Sequence, residues 1–193
     1  LSRPTSSKTS RPVAPPSRTV SAVPAPRMTL RPPILDDEEA FRRAHRAMAA
    51  DGFLFGLGYD ERTLFADYLA LLARRERGED LPAHFVPNTF RVADVGGVIV
   101  GRASIRHELN ERLLLEGGHI GYGVLPEHRR RGYATEILRQ SLGIVAGHGV
   151  EKVLVTCDDD NIGSATVIER CGGVLAEVGV GESGQTLRRY WIG

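Results

Sequence analysis

The stretch Gly118-His119-Ile120-Gly121-Tyr122-Gly123-Val124-Leu125-Pro126-Glu127-His128-Arg129-Arg130-Arg131-Gly132-Tyr133-Ala134-Thr135-Glu136-Ile137-Leu138-Arg139 decides the reading of this chain. A half-apolar strand ends in a turn, and three arginines, a glycine and an alanine then open an amphipathic helix. The first turn of a helix leaves about four N–H groups without intrahelical partners. Positive side chains oppose the dipole at that end, so three arginines there suit an anion; the alternative reading is an ordinary helix with a solvated basic first turn. Arginine forks match phosphate oxygens, and Gly132 has no side chain to keep a pyrophosphate from the backbone. Ala134 is small enough to seat the helix tightly on a strand. Ile137, Leu138, Ser141, Leu142 and Val145 follow helical spacing and predict one face packed on a sheet.

Outward from this stretch the pattern alternates. Val153 to Cys157 reads as a short apolar strand buried on both faces. Asp158, Asp159 and Asp160 precede a helix from Asn161 to Cys171 and are expected to serve as electrostatic caps. Val174–Val178 and Gln185–Ile192 form a closing hairpin. Upstream, Thr29–Arg31 is a first strand, and a helix with Phe41, Ala44 or His45, and Met48 on one face follows the acids 36–39. A second helix spans Glu61 to Arg77 with the stripe Leu64, Phe65, Tyr68, Leu69 and Leu72. Phe90–Val95 and Val98–Ile105 flank Gly96-Gly97 as a hairpin. His107 to Gly117 is a polar connection with an apolar insert, Leu113 to Leu115. The element order gives a mixed α/β (α+β) sandwich.

Two motifs resemble those of the GNAT superfamily of N-acetyltransferases. Arg129 to Ala134 matches the Arg/Gln-x-x-Gly-x-Gly/Ala signature, and Asn161, Ser164, Val167, Glu169, Arg170 and Gly172 match the Asn-x-x-Ser-x-x-Val-x-Glu-Lys-x-Gly pattern of the ribosomal-protein N-terminal acetyltransferase branch. The resemblance spans residues 28–193 and implies a GNAT fold. That fold has a central, mostly antiparallel sheet, splayed between strands four and five and flanked by helices. It implies acetyl-CoA as co-substrate, with no metal, and direct transfer to an amine of a small molecule or a peptide. The phosphate loop would be Arg129, Arg130, Arg131, Gly132, Tyr133, Ala134 and Thr135. Val124 would offer its N–H to the acetyl carbonyl, and Asn161 would hydrogen-bond the pantetheine amides. Many members carry a tyrosine where this chain has Ile168. Ser164 is then the nearest substitute for handling the leaving thiolate, with Tyr122 and Tyr190 as further phenols. For the general base, His119 ranks first and Glu116 second; ordered water is the alternative. The departure at Ile168 keeps open a second reading, an acyl-CoA-binding regulatory module with little turnover.

Composition bounds the rest. With 193 residues, 41% of them hydrophobic, the chain can bury one core, and residues 28–193 are expected to form one domain. Residues 1–27 hold five basic residues and no acid, which leaves 20 basic against 24 acidic residues beyond them, a net charge of −4. Their Ser, Thr, Pro and Arg content predicts a disordered tail or a non-native extension. Five scattered charges without interleaved aromatics argue against a nucleic-acid-binding arm. No apolar run approaches the ~18 residues of a membrane span and no secretory core opens the chain, so a cytoplasmic location is expected. Cys157 and Cys171 lack metal-ligand spacing and read as reduced thiols. His107-Glu108-Leu109-Asn110-Glu111 has Glu111 where a zinc-protease helix needs its second histidine. Neither a phosphate-binding Gly-x-x-x-x-Gly-Lys-Ser/Thr loop nor a Gly-x-Ser-x-Gly elbow is present. A homodimer is compatible with the sequence but not readable from it.

Overall fold

The computed structural model describes residues 27–193, and the predicted tail, apart from Arg27, lies outside them. Strand β1 (Met28–Arg31) precedes helices α1 (Glu38–Ala49) and α2 (Phe65–Arg77). The hairpin of β2 (Asn88–Val95) and β3 (Val98–Arg106) follows. A short α3 (Glu111–Leu115) leads into β4 (Ile120–Val124) and then α4 (Tyr133–Ala146). Strand β5 (Val153–Asp158), helix α5 (Ile162–Arg170) and the hairpin of β6 (Val174–Val180) and β7 (Thr186–Ile192) complete the chain. All pairings within sheets are antiparallel, in the orders β1-β2-β3-β4 and β5-β7-β6. The sheets meet edge to edge at β4 and β5, where the splay was expected.

Strand alternation gives the first sheet two apolar faces. Ala103, Ile105 and Ile120 pack with Ile137 and Leu138 of α4, and this core continues through Val155, Ile168 and Tyr190 of the second sheet. The opposite face carries Phe90, Val92 and Ile99 against α1, α2 and the segment joining them. Phe41 is its hub, with Phe55, Tyr59 and Phe65 rings each centred 5.2 Å away, mostly edge-on. Truncating such a ring to Ala costs about 3–5 kcal/mol. Gly96 and Gly97 both take positive φ, 60° and 89°, as a two-residue hairpin turn requires.

Three local expectations are corrected. Leu64 is 72% exposed, because extended backbone at this residue places it just outside α2, which begins at Phe65. The 107–117 connection contains the one-turn α3, started by the Asn110 side chain accepting the Leu113 N–H at 3.0 Å. Helix α5 is capped by Asn161, whose Oδ1 accepts the Ser164 N–H at 3.0 Å, and not by the three aspartates before it. Asp159 instead pairs with Arg188 at 2.7 Å.

Candidate active site

The two sheets are joined near the start of β4. The His119 N–H donates to the Leu154 carbonyl at 2.7 Å, and the Leu154 N–H donates back to His119 Nδ1 at 2.9 Å. Gly117 N–H donates to Thr156 Oγ1 at 3.0 Å. Gly118 makes the approach possible: its φ is +58°, and a Cβ there would stand 2.4 Å from the Leu154 carbonyl oxygen. Past this junction, no hydrogen bond among the described residues links Ile120–Val124 to β5. The strands part, and a cleft of about 670 Å³ opens at their C-terminal ends, lined by Phe53, Tyr122, Gly123, Val124, Asn161 and Ser164 among others. It continues past Val124, Ala134 and Val167 into a groove of about 720 Å³ between the N-termini of α4 and α5.

That groove is floored by donors. Among the described residues, the N–H groups of Arg130, Arg131, Gly132, Tyr133, Ala134 and Thr135 have no acceptor; the first bonded amide of the helix is Glu136, donating to the Gly132 carbonyl at 3.2 Å. Arg130 and Gly132 hold left-handed backbone, φ 63° and 82°, which curls successive N–H groups into an anion-binding concavity. At Gly132 a Cβ would meet nothing within 4 Å, so the space above it is open.

The arginines divide their work. Arg129 lines both the cleft and the groove with its guanidinium engaged: its Nε donates to the Val124 carbonyl at 3.2 Å and its Nη2 pairs with Asp51 at 2.6 Å. Arg131 donates to the Glu127 carbonyl at 3.1 Å, whereas Arg130 is exposed and has no ion pair among the described residues. Since Arg129 reaches the Val124 carbonyl while Leu125 N–H bonds Val100 of β3, the Val124 peptide edge faces the cleft.

At the cleft, Tyr122 OH and Ser164 Oγ are 3.0 Å apart. Burial pushes the Tyr122 phenol well above its ordinary range, with the Ser164 hydrogen bond opposing, so the hydroxyl keeps its proton. Burial also raises the Cys157 thiol.

Both predicted bases are elsewhere. His119 is 5% exposed, its Nδ1 is occupied by Leu154, and burial followed by the charge of Arg106 lowers its pKa. It joins strands and does not line the cleft. Glu116 closes α3 and accepts the Glu182 N–H at 3.1 Å, bracing the β6–β7 loop. Asp51, Phe53, Arg102 and Arg106 escaped the sequence reading, although Arg102, Ser104 and Arg106 recur every second residue along β3. That period marks one polar strand face and could have found them. His107, the start of the zinc-like pentad, stacks on His148 at 3.5 Å and contacts Thr89 Oγ1 at 2.9 Å. Among the described residues no three His, Cys, Asp or Glu side chains are grouped to hold a metal ion, and no helix is long and apolar enough to cross a membrane.

A splayed pair of strands with a donor-lined groove at its mouth can seat an extended ligand that ends in phosphates. Residues 27–174 match the acetyltransferase (GNAT) domain family, and the chain belongs to that family. Similar solved structures include spermidine N-acetyltransferase from Vibrio cholerae in complex with CoA and spermine, 17% identical with TM-score 0.59, covering 86% of this chain and 94% of that one. RimL, the ribosomal L7/L12 alpha-N-protein acetyltransferase, is 14% identical with TM-score 0.60, covering 90% and 92%. The microcin C7 self-immunity acetyltransferase MccE, in complex with acetyl-CoA and AMP, is 14% identical with TM-score 0.60, covering 90% and 98%. These likenesses establish the fold. No curated protein matches the chain in sequence.

Proposed function

We propose that this chain is an acetyl-CoA-dependent N-acetyltransferase that transfers the acetyl group directly to a bound amine. The observation that carries this reading is the run of six acceptor-free N–H groups from Arg130 to Thr135 at the mouth of the parted sheets. A diphosphate there would satisfy them, with Arg130 adding charge and Gly132 allowing close approach. The acetyl-bearing arm would lie along the exposed edge of β4, its carbonyl on the Val124 N–H, with Asn161 and Ala134 beside it. Cofactor-like ligands of the solved relatives, CoA and acetyl-CoA, support the same assignment.

The reaction needs few parts. The amine nitrogen attacks the thioester carbonyl carbon, the C–N bond forms as the C–S bond breaks, and the ammonium proton leaves to water. Val124 N–H would stabilise the developing oxyanion. Tyr122 OH, hydrogen-bonded to Ser164, would donate a proton to the departing thiolate and so stand in for the tyrosine missing at Ile168. A thiol of pKa ≈ 8.5 leaves readily, so this acid contributes near the lower end of the usual ~10²–10⁴-fold. His119 and Glu116 would act as positioning residues. The free thiols Cys157 and Cys171 suit a reducing cytoplasm.

Calorimetry with acetyl-CoA tests the reading: micromolar binding is expected, and no heat at millimolar ligand overturns it. Thiol release over a panel of amines separates the enzyme from a binding module. Sustained turnover on any amine rejects the module.

A further inference from the structure

The face of β4 turned away from α4 meets a second, smaller cavity of about 250 Å³, lined by Arg75, Asn88, Ser104, Arg106 and Arg112 among others. Among the described residues none of its lining is a carboxylate.

Among the described residues, three of the four arginines around it have only neutral acceptors. Arg102, beneath the cavity, is 5% exposed and donates to the Gly121 carbonyl at 2.9 Å and the Leu54 carbonyl at 2.8 Å, with its Nε buried and unpartnered. Arg106 donates through Nη1 to the Gly117 and Gly118 carbonyls at 3.0 and 3.2 Å. Arg75 donates to the Leu57 carbonyl at 2.7 Å, and its Nε too is buried without a partner. Arg112 alone has a counter-charge, Glu182 at 3.1 Å. Between them the Ser104 hydroxyl is 1% exposed and has no partner.

Burial, then the neighbouring guanidinium, lowers Arg102 to about 9; burial, then Arg112, lowers Arg106 to about 10. Both stay cationic at neutral pH. A buried charge without its opposite costs several kcal/mol, and an unpaired buried hydroxyl adds about 1–3 more. An arrangement with this many unanswered donors is complete only when an anion enters.

The location ties the anion to the transfer chemistry. A Cβ on Gly121 would stand 3.4 Å from Arg106 and 3.7 Å from Arg102. Phe53, which stacks on Arg102 at 4.4 Å, lines the transfer cleft, while its neighbour Leu54 lines the small cavity. The two spaces therefore adjoin across Phe53 and Leu54. Along the strand, Val124 lies three residues beyond Gly121, roughly 10 Å at ~3.3 Å per residue.

We propose that this cavity anchors the acceptor, and that the acceptor is an amine carrying a carboxylate or phosphate roughly 10 Å from its nitrogen. The inference rests on the acetyl-transfer reading above. The same charge disfavours polyamines, which would bring further cations to the arginines.

The test uses the full chain with saturating acetyl-CoA and thiol release as readout. Trialanine spans about the required distance between amine and carboxylate, and its C-terminal amide removes only the charge. 6-Aminohexyl phosphate supplies the phosphate arm, and spermidine the opposite charge. Expected is a kcat/KM for either anionic amine roughly 30-fold or more above the amide, with spermidine poorer still. R106Q should collapse the acid-to-amide ratio below about threefold, while acetyl-CoA affinity by calorimetry stays within about threefold and reports an intact fold. S104A, which removes only a hydroxyl, should reduce the ratio by about three- to tenfold. Glutarate and inorganic phosphate should raise the thermal midpoint of the wild type and not of R106Q. Equal use of acid and amide, or no anion-dependent rise in midpoint, overturns the proposal. Absence of acetyl-CoA binding would instead overturn the enzyme assignment.

Discussion

The two faces of β4 prepare for negative charge by different physical means. Toward α4 and α5, the donors are backbone N–H groups held open by left-handed Arg130 and Gly132. Toward α1 and α2, the donors are guanidiniums and a hydroxyl sunk into a sheet face. The backbone cradle costs little when empty, since water reaches it. The side-chain cavity carries a desolvation penalty even when empty, because its charges are shut away. On the readings proposed above, the first receives the carrier and the second discriminates among acceptors.

The sharpest way to break the comparison is Gly132→Glu. A carboxylate in the open space above the cradle, on a residue that needs φ +82°, should weaken acetyl-CoA by about 100-fold or more, ~2.7 kcal/mol, in a calorimetric titration. An unchanged Kd would mean the backbone donors hold nothing. Next in size, Tyr122→Phe keeps the packing and removes the proton, so kcat should fall about 100-fold at constant acetyl-CoA affinity. Loss of affinity instead would make Tyr122 a wall and not an acid.

His119 serves both faces, because it sets where they part. His119→Ala leaves the buried Leu154 N–H unpaired and should cost about 1–3 kcal/mol in urea unfolding. The pH dependence has a definite sign. Burial holds the folded ring below 6.5, so the unfolded chain binds the proton more readily. Stability is therefore complete above pH 6.5 and declines as pH falls toward the lowered folded value. His45 and His107 shift the same way and add to the slope, which His119→Gln should shrink but not abolish. The smallest effect belongs to Arg129→Gln: the exposed pair with Asp51 is worth under about 1 kcal/mol, and unfolding midpoints should barely move.

Much of the fold was legible because its signals are local. Helical stripes placed Phe41, Ala44 and Met48 inside, and paired glycines located the hairpin turn. The donor cradle was legible for the same reason, since Arg129 to Thr135 is one continuous segment. What escaped depends on distant neighbours. His119 falls in step with Gly121 and Gly123 by strand alternation, yet two glycines before it bend the chain against β5, and Leu154 claims the ring. Glu116 looked like a cleft base until the β6–β7 loop, 66 residues on, supplied its N–H donor. The Arg102–Ser104–Arg106 period was visible, but nothing local says that no acid will come to meet it.

Arg129 carries a final consequence. The family signature admits arginine or glutamine at this position, and those side chains share a planar N–H donor, not a charge. Holding the Val124 carbonyl is a task either can perform; the Asp51 pair is particular to arginine. The tolerance written into the motif thus describes a clasp on the strand's last peptide, keeping its orientation fixed while the residues that follow turn toward the guest.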